Sequence, residues 1–187
     1  MQTPDNTSGR PATRFLVFFL SIISVFYLLV LSPWVDAHVL YPVMEASARG
    51  ASLMLGLFGI KTEVEGVVVR GANYVIAVRR GCDPVEPIVL FAAGVVAFRA
   101  PWKRKWVGLT AGAAILFCLN LVRLCTLFML GTWRSPLLDS FHLDWWPAFY
   151  LVFALALWVL WLRWMQSAQK ASGIDRPDAL KPQAVRP

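Results

Sequence analysis

Cys82, Arg123 and His142 are the residues whose types could together do covalent chemistry. A thiolate attacks an acyl carbon well, but it needs a neighbour to take and return the proton, and histidine does this near neutral pH. The oxyanion that forms then needs a positive or hydrogen-bond-donating group beside it, which an arginine supplies. Cys82 follows Gly81 and stands next to Arg79 and Arg80, cations that favour a thiolate, while Asp83 opposes them. Arg123 sits inside a long apolar run, where a guanidinium is costly and faces either a partner or a wet cavity. Asn120, three residues earlier, shares its helical face. Each residue also has an ordinary reading. Free cysteines are commonly small buried apolar groups, an intramembrane arginine can pair with an acid such as Asp83 or Glu86, and a lone interfacial histidine is usually a structural hydrogen-bonder. Cys118 and Cys125 read as packing residues, and His38 has no companion beyond nearby Asp36.

Whether the three meet depends on the elements that carry them. Of the 187 residues, 58% are hydrophobic and 16% charged, against roughly 45–50% and about 25% in soluble domains. Such a composition excludes general disorder, and the length leaves no room for a separate soluble catalytic domain. Apolar runs predict an all-α polytopic membrane protein with four transmembrane helices, at about 15–31, 84–98, 106–130 and 147–162. The first is expected to be an uncleaved span, because it lacks the shorter apolar stretch and the cleavage site of a signal peptide. In this arrangement Cys82 opens the second span, Arg123 falls inside the third, roughly 10 Å below its outer end, and His142 stands before the fourth. Three different spans thus project the three residues to one level.

Charge orients the spans. The tail 1–14, the loop 99–105 and the segment after the last span hold eleven basic residues, among them Arg14, Arg99, Lys105 and Arg163; six lie on the other side, including Arg79, Arg80 and Arg134. Both termini are therefore expected on the cytoplasmic side. The formal net charge of +7 reflects this orientation rather than a nucleic-acid surface. Segment 33–83 is then outside. Leu40, Val43, Met44, Ala51, Met54, Leu55 and Phe58 follow helical spacing with Ser47 filling the stripe, so 40–60 predicts an amphipathic helix lying on or tucked against the spans. The valine-rich runs 63–69 and 74–78, separated by Gly71-Ala72-Asn73, predict a short β-hairpin leading into Cys82. The segment 165–187 is expected to be a disordered cytoplasmic tail.

Gly81-Cys82-Asp83 opening one span, Asn120-Leu121-Val122-Arg123 inside the next and His142 before the last resemble the pattern of the exosortase/archaeosortase family, closest to the short, exosortase H-like type. The resemblance covers about 53–164. It implies a cysteine protease/transpeptidase embedded in the inner membrane with its site facing the periplasm. Its partners would be exported proteins carrying a C-terminal motif, a transmembrane helix and a basic tail. The enzyme would cut near the motif and pass the new C-terminus to a cell-surface acceptor. Carried over by position, Cys82 is the nucleophile, His142 the proton-transfer group and Arg123 the transition-state stabiliser, with Asn120 and Asp83 in support. Many members have Ser-Gly after the cysteine where this chain has Asp83-Pro84, and larger members carry additional N-terminal spans.

Other classes fit less well. A four-span thiol oxidoreductase needs paired outer cysteines, and Cys82 has none. A transporter would be expected to show helices broken near the midplane. A non-enzymatic scaffold or assembly subunit, with Arg123 joining helices, is the main alternative. The two histidines lack the spacing of a zinc site, and there is no glycine-rich phosphate loop, so neither metal nor nucleotide cofactor is expected.

Overall fold

The computed structural model describes residues 9–133 and 136–171. The remaining residues, including 1–8 and 172–187 of the two expected tails and Arg134 of the charge tally, lie outside it. Helix α1 (Gly9–Val30) leads through a short helix α2 (Pro33–Val35) and a π-helical turn (Asp36–Leu40) into α3 (Tyr41–Leu57). Strands β1 (Thr62–Glu65), β2 (Val68–Gly71) and β3 (Val75–Ala77) follow, then α4 (Val85–Ala97) and α5 (Trp102–Thr132). The last stretch winds continuously from a short α6 (Leu138–Ser140) through a second π-helical turn (Phe141–Trp145) into α7 (Trp146–Ala171).

Three helical stretches, Ala12–Val30, Trp102–Thr132 and Leu138–Ser167, are long and apolar enough to cross a membrane. This is a multi-pass membrane protein. The remaining expected span, the second in chain order, is α4, whose 13 residues rise only about 20 Å, against roughly 30 Å of hydrocarbon. It is short because both ends are fixed by backbone that cannot continue a helix: the turn ending at Pro84, and the extended Phe98 leading to Pro101. At the far end, α7 continues to Ala171, so the first part of the segment expected to be disordered is helical.

Helix α5 is the central element, packed against α3, α4 and the last helix. One face packs with Phe91 and Val95 of α4 and with Trp146, Tyr150, Trp161 and Met165 of the last helix. Its outer half, at Leu124, Cys125 and Phe128, packs instead against α3 and the sheet. Close approach is possible because small residues line the first face. A Cβ on Gly108 would collide with the Trp161 indole, and one on Gly112 with the Phe91 ring. Helix α1 touches mainly α4, and Leu16, Val17, Leu20 and Leu28 stay more than half exposed, as a lipid-facing helix requires.

The amphipathic helix is present and tucked in: Met44, Ser47, Ala48, Ala51 and Leu55 of α3 are buried against α5 and the sheet. Phe58, placed on that stripe by spacing, is exposed because the helix ends before it. The expected hairpin is a three-stranded antiparallel meander in the order β1-β2-β3. The first valine-rich run divides at Gly66, whose φ of +57° makes the turn that pairs Glu65 with Val68. Phe128 anchors this sheet to α5. It is fully buried against Gly71, with its ring 5.8 Å from Tyr74 in an edge-on contact. Phe128→Ala is expected to destabilise the protein by about 3–5 kcal/mol. Hydrogen exchange should show the added opening concentrated in 62–77, with the α4–α7 packing left protected.

Candidate functional site

The site is assembled from one turn and two helices. Arg79 to Cys82 forms a tight turn closed by the Cys82 N–H donating to the Arg79 carbonyl (2.8 Å). Gly81 occupies its third position with φ +83°, the left-handed value a type II turn needs there. Nothing lies near a Cβ built on Gly81, so conformation rather than space calls for glycine. The turn is tethered on both sides. Arg80 pairs with Asp36 in the π-helical turn before α3, its Nε donating over 2.9 Å. Inward, the Arg123 guanidinium donates to the Gly81 carbonyl (3.1 Å). Beyond Cys82, the Asp83 carboxylate accepts the Val85 N–H (2.9 Å) in an Asx-type bond that satisfies the first N–H of α4.

The structure brings Cys82 and His142 together. Sγ lies 3.8 Å from Nε2 and 4.0 Å from Nδ1 of the imidazole. That separation is contact rather than a strong hydrogen bond, and unliganded sites commonly hold such pairs loosely. His142 stands in the π-helical turn that precedes α7, a local widening of the helix that often marks functional positions. Arg123, 6% exposed, is the third member. Among the described residues it forms no ion pair with Asp83 or Glu86. Its cation lies 5.7 Å from the centre of the Tyr150 ring, and its Nε is buried without a hydrogen-bond partner.

Asn120 and Tyr150 complete the arrangement. Asn120 is fully buried, and its Oδ1 accepts the Tyr150 hydroxyl at 3.3 Å. Asn120 therefore steadies the ring that faces Arg123. Sequence reasoning missed Tyr150. Its signal was a hydroxyl on the buried stripe Trp146, Tyr150, Ala154 of an otherwise apolar span, two turns below His142. The other candidates do not join the site. His38 stacks on Trp34 and bonds its carbonyl. Cys125 is buried and donates to the Ala51 carbonyl across the α3–α5 contact, while Cys118 is exposed on α5.

A cavity of about 550 Å³ opens directly from this cluster. Gly81, Asp83, Glu86 and Arg123 form its head, and Leu90 of α4, Leu155 of α7 and Phe19 of α1 belong to its apolar walls. Burial pushes the Cys82 thiol above its ordinary pKa, and the nearby Arg123 charge pulls it back down. At rest the thiol is therefore largely protonated at neutral pH, and a base within reach is needed to generate the nucleophile. Among the described residues no group of three metal-ligating side chains occurs. The cluster has the parts for acyl transfer: a thiol, an imidazole beside it and a buried cation with a spare donor.

A family model described as transmembrane exosortase matches residues 7–162. No curated protein and no solved structure matches the chain.

Two outcomes follow from the geometry. Gly81→Ala forces a side chain into the left-handed region at a cost of about 1–2 kcal/mol and should lower the thermal midpoint. In a background with Cys118 and Cys125 replaced by serine, alkylation of Cys82 should be slow at neutral pH and rise as the medium becomes alkaline. Arg123→Gln should move that profile to higher pH, since the charge favouring the thiolate is gone. An unmoved profile would show that the guanidinium is not felt at Sγ.

Proposed function

We propose that this chain, which belongs to the transmembrane exosortase family, is a cysteine transpeptidase that cleaves C-terminal sorting signals of exported proteins and transfers the new C-terminus to an acceptor at the cell surface. The observation that carries the reading is the approach of Cys82 Sγ to His142 at 3.8 Å, beside a buried arginine that no carboxylate among the described residues neutralises. In the reaction His142 takes the thiol proton as Sγ bonds to the scissile carbonyl carbon. Arg123 receives the developing oxyanion, for which its unpartnered N–H is available. The C–N bond then breaks, His142 returns the proton to the departing amine, and a thioester remains on Cys82. An acceptor nucleophile, deprotonated by His142, attacks the thioester, bonds to the acyl carbon and releases Sγ as the thiol.

The apolar cavity supplies the other half of the reading. It runs from Gly81 and Arg123, beside Cys82, down between α1, α4 and α7 toward Trp158. One face of a substrate's transmembrane helix can lie along it with the residues just before that helix at Cys82. The short α4 suits this, because the thiol lies below the outer end of α5, which continues about 13 Å beyond Arg123. Orientation follows from the charge pattern, with both termini in the cytoplasm and the site facing the periplasm. The scaffold alternative draws on the same Arg123–Gly81 bond, read as glue between α5 and the turn.

Mapping the C-termini of exported proteins in a deletion strain separates the two. Rescue with the wild-type chain should restore removal of a terminal helix and basic tail. Rescue with Cys82→Ala at equal protein level should restore none, and identical C-termini in both strains would leave only the scaffold reading. Ala154→Phe, which fills the cavity away from the reacting atoms, should cut processing at least tenfold while leaving Cys82 alkylation unchanged, a discrimination of roughly 1.4 kcal/mol or more.

A further inference from the structure

The opposite end of the bundle carries a second cavity, of about 960 Å³, between the start of α1 and the α4–α5 junction. Its walls are apolar, formed by Phe15, Phe18, Val96 and Phe98, with Trp158 separating it from the cavity below Cys82. Arg14, Arg99 and Lys105 line it as well. Lys105 is the unusual member. It is only 7% exposed, and its ammonium donates to the Val96 carbonyl (2.7 Å) and lies 4.9 Å from the Trp102 ring centre. A buried ammonium is stable only with an opposing charge or a full set of acceptors.

Among the described residues no carboxylate answers it. Every acidic residue among those described lies in the outer segment, at the first turn of α4 or just before α7: Asp36, Glu45, Glu63, Glu65, Asp83, Glu86, Asp139 and Asp144. Among the described residues the charge around this cavity is of one sign. The walls, by contrast, are too apolar and too large for a free anion alone. They suit hydrocarbon, and the α1 helix bounding them faces lipid. Basic pockets between membrane helices recognise anionic lipid headgroups.

We propose that this cavity is a binding site for one anionic phospholipid, its phosphate held by Lys105, Arg99 and Arg14 and an acyl chain lying against Phe15, Phe98 and Trp158. The site is independent of the thiol chemistry. It would fix α1, otherwise held mainly by α4, against the α4–α5 junction.

Native mass spectrometry of the purified full chain in neutral detergent, given equal phosphatidylglycerol and phosphatidylcholine of the same acyl chains, tests this. The wild-type chain should retain one phosphatidylglycerol in preference. Arg14→Gln with Arg99→Gln should weaken that retention about fivefold for each charge removed. Arg163→Gln, an exposed charge on the far part of α7 that does not line the cavity, should leave it unchanged. Lys105→Met should abolish it; if that variant fails to fold, the arginine pair decides. Equal retention of the two lipids, or an equal loss in Arg163→Gln, overturns the proposal, because the attraction would then be that of a basic surface. Competition by millimolar inorganic phosphate also overturns it, by showing a site for the free anion.

Discussion

A guanidinium in the middle of an apolar bundle must be held, and here it is held by a backbone carbonyl rather than a carboxylate. The bond from Arg123 to Gly81 connects the central helix to the turn that presents Cys82. An acid in that place would have neutralised the cation and closed the site electrostatically. A carbonyl satisfies part of the arginine's donor set and leaves its charge free to act on neighbouring atoms. The remaining geometry serves this choice. Glycine gives the turn its left-handed residue, Asp83 bonds the first N–H of α4, and Tyr150, braced by Asn120, lies over the cation.

Helix α5 has to do two incompatible things, and it divides them along its length. Its inner half approaches bulky rings on α4 and α7, which small residues at 108 and 112 permit. Its outer half supports a soluble-style core of α3 and the sheet, where Phe128 and Leu124 are buried. The polar pair Asn120 and Arg123 lies at the join between these two packings. There the short α4 ends early, and the chain above it forms a turn instead of a helix. A buried polar site needs backbone that is neither pure span nor pure outer domain, and such irregular backbone is tolerated at membrane depth only where protein covers it or a cavity receives it.

The two ends of the bundle differ in electrostatic character. At the outer end acids and bases are mixed and pair locally, as Arg80 does with Asp36 and Arg49 with Glu45. At the other end Arg14, Arg99 and Lys105 have no acidic partners among the described residues and line an apolar cavity. Tryptophans mark both levels: Trp34, Trp133 and Trp145 stand exposed at one, and Trp102, Trp106 and Trp164 at the other. Their amphipathic rings favour the membrane boundary.

The sequence by itself determined the membrane class, the helices that run through the bundle, the amphipathic helix packed beside it and the three side chains put forward as candidates for chemistry. It did so because each is a local property: a run of apolar residues, a helical spacing, a residue type that can carry charge or a nucleophile. Three things depended on tertiary packing. The sheet gained a strand because Gly66 took a positive φ inside a run that looked continuous. Asp83 bonds the Val85 N–H rather than pairing with Arg123, because its carboxylate meets that N–H two residues on within its own turn. Tyr150 entered the site because α7 packs that face onto α5, and no spacing within one helix reveals which neighbour it will meet. The approach of Cys82 to His142 belongs to the same class, since sixty residues separate them in the chain and only the folding of three elements onto one level brings sulfur to imidazole.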